Sequence, residues 1–202
     1  MITTITNEEI LSIFKESRAL LEGHFQLTSG LHSPNYFQCA RVLQYPKNAE
    51  RLCAEIARHF HSLKIDAVIA PALGGIVVGQ EGGRQLGVRT MFTEGKQSVM
   101  QLRRGFEVAP GEGILVCEDV ITTGGSVREV ISIVEDRGGI LVGVGSIVDR
   151  SGGKTSLPNF FPTMSMDVVT YKQDECPLCR KRIPVEKPGS RAENTSKMKN
   201  EK

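Results

Sequence analysis

The stretch "ILVCEDVITTGGS", residues 114–126, decides the reading of this chain. Four apolar residues run into two adjacent carboxylates, Glu118 and Asp119, and then into Thr-Thr-Gly-Gly. A buried strand has no use for two unpaired charges. The helical pattern "SVREVISIVED" follows at once, so the acids and the Thr/Gly turn lie between a strand and a helix. Successive N–H groups in such a turn form a cradle for an anion. Gly124 and Gly125 permit positive φ and close approach of backbone to ligand, and Thr122, Thr123 and Ser126 add hydroxyl donors. The acids cannot face that anion and need donors or a cation. The ligand so described carries hydroxyls at one end and a phosphate at the other, as a sugar phosphate does.

Around this stretch the chain alternates strands with helices. "DAVIA" (66–70), "VRTMFT" (88–93), "ILVCED" (114–119), "ILVGVGSIVD" (140–149) and "MDVVTY" (166–171) read as strands. Helices are expected over about 7–22, opened by a Thr6/Glu9 capping box, over 47–63, over 76–87 despite Gly79, Gly82 and Gly83, and over 126–139. Residues 23–46 read as short strands and turns, and residues 94–113 as polar and loop-like, with hairpin character. Strands apolar on both faces, alternating with helices, predict an α/β fold with a mostly parallel twisted sheet flanked by helices. Ligands of such sheets bind at the carboxyl ends of the strands, where "PALGG" (71–75), "VITTGG" and Asp149-Arg150 all fall. Neither G-x-x-x-x-G-K-[ST] nor G-x-G-x-x-G after a strand is present, which sets aside two other phosphate-binding designs.

Composition agrees with a globule. The 202 residues are 40% apolar and 24% charged, enough for one domain with a buried core. The net charge is +2, and Lys187, Arg191, Lys197, Lys199 and Lys202 outweigh Glu193 and Glu201 to put +3 into residues 187–202. The remainder is near −1, so no basic face for nucleic acid is expected and the tail is read as disordered. The first residues lack a basic and then apolar leader, and no run approaches a membrane span. Five scattered cysteines are expected to be reduced thiols in a cytoplasm.

With these residues in view, "ILVCEDVITTGGS" resembles the phosphoribosyl pyrophosphate (PRPP) signature of type I phosphoribosyltransferases. "LTSGLHSPNYFQCARVL" (27–43) is similar to the N-terminal motif of orotate phosphoribosyltransferases, and "GSIVDR" (145–150) to the stretch whose Arg recognises orotate in that family. The resemblance spans about residues 5–185. It implies the type I phosphoribosyltransferase fold as a single domain over 1–186, with a small hood from about 20–45 and 151–186. It implies transfer of phosphoribose from PRPP to orotate, giving orotidine 5′-monophosphate and pyrophosphate in pyrimidine biosynthesis. A purine-base enzyme of the same scaffold and a PRPP-sensing regulator are the alternatives.

The resemblance assigns Glu118 and Asp119 to the ribose, with Lys96 as a third catalytic group. Val120, Ile121, Thr122, Thr123, Gly124, Gly125 and Ser126 line the 5′-phosphate loop. Ala72, Leu73 and Gly74 present backbone to the diphosphate, in a turn where the family holds a cis peptide, and Lys96 and Arg103 supply cations from a lid over 92–106. Thr122, Arg150, Tyr36 and Phe37 are assigned to orotate. The lid departs from the family pattern in lacking a His, and Thr28 stands where many members have Lys. Mg²⁺ is the expected cofactor, held mainly by PRPP with no direct protein ligand. The assembly expected is a homodimer whose lids are shared between subunits, without nucleic-acid or membrane partners.

"CPLC" (176–179) is half of a zinc site. The two further ligands would have to come from elsewhere, such as a symmetric second copy, so a Pro-containing turn with two packed thiols is the simpler reading. His24 and His32 receive no catalytic role.

Overall fold

The computed structural model describes residues 4–27, 29–96, 99–166 and 169–188. The chain divides into two compact units. One comprises Met1–Leu20 and Phe37–Val168; the other comprises Leu21–Tyr36 and Val169–Lys202.

The element order begins α1 (Asn7–Glu16), β1 (Leu20–Gln26), β2 (His32–Phe37), α2 (Cys39–Leu43) and α3 (Pro46–Phe60). It continues β3 (Ala67–Pro71), α4 (Gly74–Leu86), β4 (Arg89–Lys96), β5 (Val99–Leu102) and β6 (Gly113–Ile121). It closes with α5 (Gly125–Asp136), β7 (Ile140–Asp149), β8 (Phe160–Ser165) and α6 (Pro177–Arg180).

In the larger unit six strands form one sheet in the order β5-β4-β3-β6-β7-β8. Every pairing is parallel except β4 with β5, which is an antiparallel hairpin running from Thr93↔Leu102 to Lys96↔Val99. The hairpin character read in this segment is thus present, and it adds β5 as an edge strand. The alternation of the strands sorts their side chains to two cores. Ala67, Ile69, Ile114 and Val116 pack with Val127, Val130 and Val134 of α5. Val68, Leu115, Cys117 and Ile147 pack with Phe14, Leu52, Ile56, Phe60 and Val78. Each such fully buried large side chain contributes about 1.5–3 kcal/mol.

The capping box forms as expected. The Glu9 N–H donates to Thr6 Oγ1 at 3.2 Å and the Thr6 N–H to Glu9 Oε2 at 2.9 Å. Helix α1 nevertheless ends at Glu16 instead of running to residue 22. The Ser17 hydroxyl donates back to the Ile13 carbonyl at 2.6 Å, Arg18 turns left-handed at φ 51°, and Leu20 and Leu21 enter β1. Helix α4 tolerates its glycines because it lies against the sheet: a Cβ on Gly79 would stand 2.9 Å from Ala70 Cβ.

The strand expected over 166–171 is a misplacement. The last strand among the described residues is β8, six residues earlier, and residues 167 and 168 lie outside the described residues. Pro162 hid it, yet a proline is tolerated on an edge strand, and β8 is the edge of the sheet. Beyond it, Tyr171 makes an isolated bridge to His32. The smaller unit contains the two-stranded β1-β2 sheet, this bridge, a second one between Phe25 and Glu186, and the single turn of α6. The tail reading concerns residues that lie, from 189 onward, outside the described ones.

Candidate active site

Two loops of the larger unit meet at the carboxyl ends of β3 and β6. The acidic pair closes β6, still in the ladder: Glu118 is in register with Ser146 of β7. Each carboxylate accepts from the next backbone N–H, Glu118 Oε1 from Asp119 at 3.0 Å and Asp119 Oδ1 from Val120 at 2.8 Å. These bonds aim the two side chains at the start of α4. A Cβ on Gly74 would collide with the Asp119 carboxylate, and one on Gly75 would stand 2.9 Å from Glu118 Oε1. The "PALGG" glycines are the space into which the acids fit. Burial, and then the neighbouring Asp119 charge, push the Glu118 carboxyl up to about 9. A cation or a set of hydroxyl donors at this point relieves that charge–charge conflict.

The turn after the acids opens α5. Gly124 is its N-cap at φ 75°, ψ 13°, a left-handed conformation that a side chain disfavours. No side chain caps this helix, and its first amides have no acceptor within the helix. The Arg128 N–H makes the first helical bond, to Gly124 O at 3.0 Å. Thr122, Thr123, Gly125 and Ser126 are exposed around the opening, while Ile121 is buried beneath it. The loop is held from outside by Thr155, whose hydroxyl donates to Thr122 O at 3.0 Å. Exposed, uncapped amides on a fixed turn are what an anion needs.

Arg150 is tied to the same turn. Its N–H donates to Ile121 O at 2.8 Å, and its guanidinium carbon lies 5.5 Å from the centre of the Phe37 ring. Phe37, read as a contact for the base, is buried in the core, edge-on to Phe14 with ring centroids 6.0 Å apart. Its place is under Arg150, where it sets the guanidinium's position. Tyr36 belongs to the smaller unit and packs on Phe25 at 5.7 Å.

The 71–75 turn contains a cis peptide between Ala72 and Leu73, as the resemblance leads one to expect. One part of its reading needs correction. The Ala72 N–H, assigned to the ligand, donates to Thr93 O at 2.9 Å and is committed to the β3–β4 ladder. Leu73 is 83% exposed at the tip of the turn. Thr93 is a residue that sequence reasoning missed. It is fully buried beside this turn, and its hydroxyl finds no hydrogen-bond partner among the described residues.

The hairpin supplies the cations. Arg104 donates to Glu94 Oε1 at 2.7 Å and lies 5.6 Å from the Phe92 ring centre, and Arg103 stands 3.9 Å from Glu94 Oε2. The Arg104 bond holds the Glu94 carboxyl below the ordinary range. Lys96 ends β4; its side chain lies outside the described residues.

A second cluster lies wholly in the smaller unit. His24, His32, Cys176 and Cys179 converge there, with their side-chain ligand atoms within 4.8 Å of one another, so two histidines of the same chain stand beside the "CPLC" thiols. The signal in the sequence was two histidines eight residues apart on neighbouring strands; their distance from residues 176–179 along the chain concealed it.

Comparison with known proteins gives the site a context. A family model described as "Phosphoribosyl transferase domain" matches residues 41–160. The chain is 56% identical over 184 residues to an orotate phosphoribosyltransferase of Chlorobium phaeobacteroides, covering 91% of this chain and 95% of that one. It is 51% identical over 188 residues to an orotate phosphoribosyltransferase of Caldicellulosiruptor bescii, covering 93% and 99%. Among solved structures, orotate phosphoribosyltransferase from Aeropyrum pernix superposes with a TM-score of 0.65 at 22% identity, over 78% of this chain and 93% of that one. Adenine phosphoribosyltransferase from Thermoanaerobacter pseudethanolicus does so at 0.58 and 16% identity, over 65% and 88%. At such identities these structures speak for the fold alone.

Proposed function

Because this chain belongs to the orotate phosphoribosyltransferases, within the phosphoribosyl transferase family, we propose that the site transfers phosphoribose from PRPP to orotate. The observation that carries the reading is the meeting of the acidic pair with the Gly74-Gly75 turn beside the uncapped start of α5.

The reaction joins the base nitrogen to the anomeric carbon as the bond from that carbon to the pyrophosphate oxygen breaks. Positive charge develops on the ribose ring and negative charge on the leaving group. The protein's work is to position, to exclude water and to meet those charges. The amides of residues 124–126, with the hydroxyls of Thr122, Thr123 and Ser126, hold the 5′-phosphate. Glu118 and Asp119 accept hydrogen bonds from the ribose hydroxyls and present negative charge to the ring. Leu73 and Gly74 and the hairpin cations Lys96 and Arg103 face the diphosphate. Arg150, fixed over Phe37, pairs with the orotate carboxylate, and its planar fork suits that group better than a lysine would.

Mg²⁺, carried in by PRPP, would neutralise part of the leaving group's charge. The donor set fits such an ion, since two adjacent carboxylates, one driven towards its neutral form, gain from a cation nearby. The hairpin acts as the lid, across a homodimer. A cytoplasmic setting is supported by five cysteines that are all free of disulfides. No helix among the described residues is long and apolar enough to cross a membrane.

Pyrophosphate release tests the reading. With PRPP and Mg²⁺, orotate is expected to trigger release, whereas adenine, guanine or hypoxanthine are not; release with a purine and not with orotate overturns it. In the Arg150→Ala variant the orotate KM is expected to rise about tenfold or more while the PRPP KM changes little, as loss of a charge-assisted pair requires.

A further inference from the structure

We propose that His24, His32, Cys176 and Cys179 bind one zinc ion in a closed, structural site that holds the smaller unit together. Their four ligand atoms lie within 4.8 Å of one another. His24 Nε2 is 3.6 Å from Cys176 Sγ and 3.6 Å from Cys179 Sγ, Cys179 Sγ is 3.2 Å from His32 Nδ1, and the two imidazole nitrogens are 2.8 Å apart. In a tetrahedron with zinc–sulfur bonds of about 2.3 Å and zinc–nitrogen bonds of about 2.0–2.1 Å, the ligand atoms are separated by roughly 3.3–3.8 Å. The three nitrogen–sulfur spacings are those of such a tetrahedron to within a few tenths of an ångström. The nitrogen pair must open by about half an ångström to receive the ion.

Three further observations point to a metal over a plain hydrogen-bonded cluster. His24 Nδ1 lies 2.7 Å from the Ile183 carbonyl. That contact places a proton on Nδ1 and turns the Nε2 lone pair towards the sulfurs, which is how metal-bound imidazoles are oriented. The ligand chemistry is also balanced. Two thiolates neutralise a divalent ion, so the filled site carries no net charge into a buried place, and a mixed sulfur–nitrogen set selects zinc over magnesium or calcium. Finally, the unit has little else to cohere by. Its buried residues, among those described, are His24, Phe25, His32, Ser33 and Cys176. Three of these five belong to the cluster, leaving Phe25 as the one large buried apolar side chain among the unit's described residues. Small units without a core are stabilised by metals or cross-links, and the cysteines here are free thiols.

With four protein ligands no position is left for water or substrate, so the ion is structural. It ties the β1-β2 hairpin, which supplies the histidines, to the 176–179 turn.

Elemental analysis of the full-length protein, purified under reducing conditions without chelator, tests this. About one zinc per chain is expected. After removal of the native metal, Co²⁺ alone is expected to titrate to one equivalent, with the intense visible bands of tetrahedral cobalt and thiolate-to-cobalt charge transfer. Cys179→Ser and His32→Gln are expected to weaken zinc binding more than about tenfold, whereas His61→Gln, outside the cluster, leaves it unchanged. Protein that is metal-free as purified and gives no thiolate–cobalt spectrum overturns the proposal, with no mutant needing to fold. Zinc retained at full stoichiometry in both Cys179→Ser and His32→Gln also overturns it. Neither readout depends on catalysis, so failure here and failure of the orotate assay are separate results.

Discussion

At the scale of single residues, the site is a place where charges are held out of balance. Glu118 sits beside Asp119, and burial with that neighbour drives its pKa to about 9, above the ordinary 4.5. An acid whose native pKa is raised stabilises the fold fully below the unfolded value and loses that contribution as pH climbs through the native one. The unliganded protein is therefore expected to lose stability between about pH 4.5 and 9 on account of this group. Glu118→Gln removes the titration, so calorimetry without ligand is expected to show its melting temperature exceeding the wild type's near pH 9, with the gap closing below pH 4.5. A gap that ignores pH sinks the assignment. The same variant is expected to bind PRPP about 10- to 100-fold more weakly at neutral pH, from the loss of a charge-assisted bond. Activity and stability thus move in opposite directions at one side chain.

At the scale of elements, the turn between β3 and α4 and the end of β6 are fitted to each other. Alanine at Gly74 drives a methyl group into the Asp119 carboxylate. We expect Gly74→Ala to lower kcat/KM for PRPP by about a hundredfold through misplaced carboxylates, with a stability loss of about 1–3 kcal/mol; steady-state kinetics beside denaturant melts separate the two. This is also the scale at which the sequence is most and least readable. The strand over 140–149 and the helix after Gly124 stood out because their apolar periods are unbroken and their ends are marked by glycine. The turns bearing Gly74, Asp119 and Gly124 were legible because residue types there serve ligands and not a core. What escaped was set by tertiary context. Leu20 and Leu21 fit a helix as well as a strand until Ser17 and Arg18 close α1. Pro162 argues against a strand until β8 is known to be an edge. The Ala72 amide looks available until Thr93 is placed opposite it. The four-residue cluster is spread over more than 150 positions, and no local pattern joins its halves.

At the scale of the whole molecule, the lid reading makes a claim about assembly. If the β4-β5 hairpin serves the partner's site in a symmetric dimer, two inactive variants should repair each other. Asp119→Asn disables the acidic pair and Lys96→Ala the lid. Mixed one to one after dissociation, they are expected to recover about a quarter of wild-type activity, since half of the dimers then hold one intact site. No recovery, with exchange verified by mass, places the lid on its own subunit. The smaller unit raises a matter of timing. It is built from residues 21–36 and residues 169–188, which leave the ribosome far apart. At about 5–20 residues per second, the early hairpin waits roughly 7–29 s for the segment that closes it. Through that interval its two imidazoles lack the two thiols, while the strands encoded between the two segments are already being made. A transcript cut short before Cys176 would therefore yield a nearly finished enzyme whose first hairpin never receives its clasp.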